Sequence, residues 1–129
     1  DLETMTTGPL SSRQIANMQR LFATPFAEIY PLYVTKVQRK NRTAAELRTV
    51  LSWLTQLDGT QLDLAIASGE SLQEFFNHVQ VHPNAGLITG SVCGVKVQEV
   101  EDPLMRNIRY MDKLVDELAQ GKDLERILR

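Results

Sequence analysis

The chain is 129 residues long, enough for one domain with a real core. It is 43% hydrophobic and 23% charged with a net charge of −2, an ordinary globular balance in which nothing global points to a polyanionic partner. Its single cysteine, Cys93, excludes an internal disulfide and any cysteine-only metal cluster.

The segment DLETMTTGPLSS is polar and contains Gly8-Pro9. Residues 1–19 are therefore expected to be a flexible or loosely attached extension, and residues 20–129 a single helical domain. From Arg13 to Phe22 the apolar positions Ile15, Met18, Leu21 and Phe22 already follow helical spacing. Thr24-Pro25 reads as a helix start, with Thr24 as cap and Pro25 in the first turn. Phe26, Ile29, Tyr30, Tyr33, Val34 and Val37 then form a stripe that Pro31 should kink or restart.

Three further helices announce their own beginnings. TAAE (Thr43, Glu46), SLQE (Ser71, Glu74) and, more loosely, TQLD (Thr60, Asp63) place a hydroxyl three residues before a carboxylate. Behind the first, Leu47, Val50, Leu51, Leu54 and Leu57 make an amphipathic stripe that Asp58-Gly59 should end. The second helix in chain order runs through Ile66 to Gly69. The third carries Phe75, Phe76 and Val79, with Pro83-Asn84 as its breaker.

Residues 85–101 admit two readings. The alternation in VKVQEV suggests a strand. A helix would gather Gly86, Gly90, Cys93, Val97 and Val100 on one face, at a cost of about 1 kcal/mol per glycine that close approach of a second backbone would offset. The helical character of the neighbouring segments favours the helix. Asp102-Pro103 then opens a long C-terminal helix with Leu104, Ile108, Met111, Val115 and Leu118 on its stripe. Gly121 closes it, and DLERILR adds a last turn. The fold expected is all-α: a single compact domain of six or seven helices. The C-terminal helix should pack on the glycine-bearing segment and on the TAAE helix.

FAEIYPLYVTKVQRKNRT, SWLT, EFF, PNAGLITGSVCGVKV and EDPLMRNIRYMDKLVDELAQGKDLERILR together resemble an uncharacterised prokaryotic family, catalogued as domain of unknown function 2200. The resemblance begins near Arg20 and runs to the end of the chain. It implies no particular activity. Two positions depart from it: glycine is expected where Asn41 and Gln56 stand.

Several residues invite a chemical reading. Cys93 could be a thiol nucleophile if His78 or His82 came near, but a free cysteine amid Val92, Gly94 and Val95 reads first as buried packing. His78 and His82 have the i, i+4 spacing of a zinc-binding pair, yet Pro83 disfavours helix at His82 and no further ligands are specified. Lys36, Arg39, Lys40 and Arg42, extended by Arg48, form a basic region. It suits a helix C-terminus in the first place, and an anion or nucleic-acid backbone in the second. Charge is uneven overall. Residues 1–52 carry seven Lys and Arg against four Asp and Glu, and residues 53–129 carry seven against twelve. Arg109, Asp112, Lys113, Asp116 and Glu117 pair at i, i+3 and i, i+4, as on a solvated helix face or a partner surface.

No complete catalytic constellation, nucleotide loop or metal motif is visible, and no cofactor is expected. The longest stretch without Asp, Glu, Lys or Arg contains both histidines and does not read as a membrane span. No signal-peptide pattern is seen. The expectation is a cytoplasmic interaction module that binds a protein partner or a second copy of itself. The alternatives are nucleic-acid or anion binding through residues 36–48, and a thiol-dependent enzyme centred on Cys93.

Overall fold

The computed structural model describes residues 10–129. Residues 1–9, half of the expected N-terminal extension, lie outside the described residues. Seven α-helices, two short 3-10 turns and one two-stranded hairpin follow in order. Among the described residues no helix is long and apolar enough to cross a membrane.

Helix α1 spans Ser12–Ala23 and is opened by Ser11, whose hydroxyl accepts from the Gln14 amide while the Gln14 side chain accepts from the Ser11 amide. None of its residues is fully buried. Thr24 ends α1 rather than starting the next helix. Its hydroxyl donates back to the Arg20 carbonyl at 2.8 Å, and the cap position of the next helix falls to Pro25, which has no side-chain cap to offer. Pro25 is left extended and bridges to Ser71, with Phe26 N–H donating to Glu70 O and Leu72 N–H to Thr24 O, each at 2.9 Å.

Helix α2 (Phe26–Gln38) runs unbroken through the exposed Pro31, so the expected restart is absent. The missing amide falls on the outer face of the helix, where it is least costly. Helix α3 (Ala44–Thr55) has the full Thr43–Glu46 capping box and buries Leu47, Val50, Leu51 and Leu54. Asp58-Gly59 does not terminate it. Gln56 does, in a left-handed conformation, and Asp58 caps the next helix, α4 (Gly59–Ser68), by accepting from the Gln61 amide at 2.8 Å. The looser Thr60–Asp63 box is unused, because aspartate at 58 is the better cap and comes first. Helix α5 (Leu72–His78) is opened by Ser71 and Glu74 as expected.

The helical reading of residues 85–101 is wrong. A 3-10 turn (Pro83–Leu87) leads to β1 (Ser91–Val92), which pairs antiparallel with β2 (Val95–Lys96), followed by a second 3-10 turn (Val97–Glu99). The cause is local. Cys93 and Gly94 have φ of 52° and 76°, the two consecutive positive values of a two-residue hairpin turn, which no α-helix admits. The glycines are not a close-packing stripe either. A methyl group added at Gly86 or Gly94 would meet open space, and at Gly90 it would meet the Lys113 side chain, not a backbone.

Helix α6 (Pro103–Ala119) begins at Asp102, as the sequence predicts, and ends in a turn where Gly121 and Lys122 donate to Leu118 O and Glu117 O. Helix α7 (Leu124–Ile127) folds back on it. The core is one cluster, with α6 packed against α2, α3, α5, the hairpin, the second 3-10 turn and α7. Phe26 and Phe75 stack at its centre with ring centroids 4.4 Å apart. The all-α class therefore holds, with the hairpin as its one departure, and α6 packs on the glycine-bearing segment and on α3 as expected.

Candidate functional site

The charged face of α6 is drawn into the structure. Arg109 donates to Asp112 at 2.9 Å, and the other Asp112 oxygen accepts from the Tyr33 hydroxyl at 2.5 Å. Asp116 pairs with Lys36 of α2 at 3.2 Å and accepts from Gln120. Lys113 donates to the Ser91 carbonyl of the hairpin. Glu117 is 6% exposed and receives Arg129 at 2.7 Å and Lys122 at 3.3 Å. The expected solvated face is thus half-buried, and its charges bind α6 to α2, the hairpin and the C-terminal turn. Burial above all, then the charge and hydrogen bond of Asp112, push the Tyr33 hydroxyl well above the ordinary tyrosine range.

The basic region is divided in the same way. Arg42 reaches the Glu46 carboxylate and the carbonyls of Leu118 and Lys122, so it caps the end of α6. Arg48 donates to Gly59 O and to Asp63 at 2.7 Å. Lys36 is held by Asp116. Arg39 and Lys40 are exposed at the end of α2, with neither an ion pair nor a side-chain hydrogen bond among the described residues.

His78 and His82 go separate ways. His78 sets Nε2 against both oxygens of Glu70, each at 2.9 Å. His82 lies beyond α5, stacks on Trp53 with centroids 4.3 Å apart, and accepts from the Asn84 amide through Nδ1. Among the described residues no group of three or more His, Cys, Asp or Glu is placed to hold a metal ion. Cys93 is exposed at the hairpin tip, so its expected burial is wrong. A cysteine in the turn has no face directed at the core. Both histidines are engaged elsewhere.

A concave surface that the sequence did not single out lies beside His78. A shallow open cleft of about 270 Å³ lies between α4 and α5, lined by Leu57, Gln61, Leu64, Ala65, Ser68, Glu70 and His78. Helical spacing along α4 turns Leu62 and Ala65 inward and leaves Leu64 on the rim, 64% exposed. Gly69 breaks α4, with φ of 73°, and brings Glu70 back beside His78 on α5. The Glu70 side chain is 17% exposed against 52% for His78, so the carboxylate sits low in the cleft and the imidazole covers it from outside. Ser68 is spoken for: its hydroxyl donates to Ala65 O and accepts from the Glu70 amide. A trace of this surface was present in the sequence, since Leu64 is a large apolar residue off the buried stripe of its helix.

A family model described as "Uncharacterized protein conserved in bacteria (DUF2200)" matches residues 20–129. Among solved structures the chain is similar to the "Crystal structure of uncharacterized protein SP1917", with 37% identity and a TM-score of 0.80 over 85% of this chain and 91% of that one. No curated protein matches.

Proposed function

The chain belongs to the DUF2200 family of uncharacterised bacterial proteins, and on that footing we propose that it is a small cytoplasmic interaction module that engages a protein partner through the α4–α5 cleft. The observation that carries this reading is Leu64, a large apolar side chain 64% exposed on the rim of an open cleft whose polar wall holds a half-buried carboxylate. Protein-binding surfaces combine exposed apolar side chains with polar groups close by, and Leu64 beside Glu70 and His78 supports that reading. The other charged clusters are bound up in holding the fold together. A free, exposed thiol at Cys93 supports a reducing compartment.

Binding through the basic region has less behind it, because Lys36, Arg42 and Arg48 are engaged internally and only Arg39 and Lys40 remain. The two surfaces are separated by affinity capture with three forms of the protein: unaltered, Leu64→Lys, and Arg39→Glu with Lys40→Glu. Loss of a partner with Leu64→Lys and its retention by the double variant is the expected result. The reverse pattern transfers the function to the end of α2. Light scattering of the unaltered protein shows whether the partner is a second copy.

A further inference from the structure

Resting on the cleft as the working surface, we propose that its occupant is a polypeptide segment presenting a bulky aliphatic side chain beside a lysine or arginine. The open cleft, about 270 Å³, accommodates one or two side chains. The aliphatic group goes over Leu57 and Ala65, against Leu64.

Charge selects its neighbour. From Thr49 to Val95 the chain carries Asp58, Asp63, Glu70 and Glu74 and no lysine or arginine. Asp63 is already answered by Arg48. The side chain facing Glu70 is His78, which offers one nitrogen to two carboxylate oxygens. One N–H shared between two acceptors satisfies neither fully. A guanidinium brings two parallel donors to the same pair, and an ammonium brings a full point charge. Because His78 is half-exposed while Glu70 is low in the cleft, an incoming cation can displace the imidazole outward and keep the carboxylate paired.

The test is fluorescence anisotropy of the full chain with two labelled hexapeptides. Each carries one leucine, followed two positions later by arginine in the first and by glutamate in the second. The arginine peptide is expected to bind at least about tenfold tighter. Glu70→Gln should remove most of that ratio, and His78→Ala, which uncovers Glu70, should tighten the arginine peptide. Equal binding of both peptides, lost on Leu64→Asn, overturns the basic partner and leaves the cleft reading standing. Weaker binding by His78→Ala overturns the displacement of the imidazole. Absence of binding by either peptide at about 1 mM, where affinity is worth only about 4 kcal/mol, overturns both the partner and the cleft.

Discussion

Tyr33 is 8% exposed, and its hydroxyl donates a hydrogen bond to Asp112 at 2.5 Å. Burial and the adjacent carboxylate both oppose a phenolate, so the native hydroxyl holds its proton far into the alkaline range. In the unfolded chain the same group ionises near pH 10. Its contribution is therefore complete below about pH 10 and is lost as pH rises above it, because the unfolded state alone gains by releasing the proton. Urea denaturation should show the unaltered protein losing stability between pH 9.5 and about 11 more steeply than Tyr33→Phe. Near pH 8 the variant should be weaker by about 1–3 kcal/mol, for want of the donor to Asp112. Parallel pH slopes would contradict the argument. Asn41 and Gln56 show a second residue-scale effect. Their φ values of 63° and 58° are those that glycine adopts without cost. They are also the two positions where the family resemblance leads one to expect glycine. Asn41→Gly should stabilise the protein by roughly 0.5–1 kcal/mol in thermal denaturation. Gln56→Gly should be close to neutral, since it also removes the 2.7 Å hydrogen bond from the Gln56 side chain to Gln80 O.

Among the elements, the hairpin is the least well matched to its sequence. A two-residue turn with positive φ at both positions favours Asn-Gly, and here it is Cys93-Gly94. Cys93→Asn should raise stability by a few tenths to about 1 kcal/mol, measured by the urea midpoint. In the unaltered protein iodoacetamide should label Cys93 at a rate close to that of the unfolded chain, and a thiol protected until unfolding would contradict the exposed turn. This mismatch is also why the hairpin was poorly legible. The Cys-Gly pair is not a familiar turn signal, and a glycine every four residues imitates a helix face. The capping boxes at Thr43 and Ser71 and the Asp102-Pro103 start are legible because a cap is complete within three residues. Where two caps compete, as at Thr24 and Pro25 or Asp58 and Thr60, the outcome depends on which neighbour uses the hydroxyl or carboxylate first. The cleft lies furthest from the sequence. Leu57, Leu64, Glu70 and His78 meet only after Gly69 has turned the chain, and no spacing rule joins them. The charges of α6 point the opposite way: the i, i+3 pairs Arg109–Asp112 and Lys113–Asp116 form, but Glu117 turns to Lys122 and Arg129 instead of Lys113, and nothing local indicates that α2 and the hairpin cover the face.

At the scale of the whole molecule, α6 decides whether there is a fold at all. It touches α2, α3, α5, the hairpin and α7, and its Ile108, Met111, Leu114, Val115 and Leu118 are at most 1% exposed. No second core exists among the described residues on which part of the chain could stand alone. Leu114→Ala should therefore cost about 2–5 kcal/mol, a large share of the 5–15 kcal/mol typical of a domain. The loss should appear everywhere at once. Fluorescence of Trp53, on α3, and far-UV circular dichroism should report one coincident transition in both the unaltered and the variant protein. Separate transitions would mean that α6 does not bind the elements into one unit. Leu64 is the contrasting case. It is as large and as apolar as Leu114, but 64% exposed, and its truncation to alanine should shift stability by no more than about 0.5 kcal/mol. A leucine that the fold does not need, held at the mouth of a cleft, is the residue whose loss should be felt in binding and not in the melting curve. Measuring both properties on both variants separates what builds this molecule from what it presents to a partner.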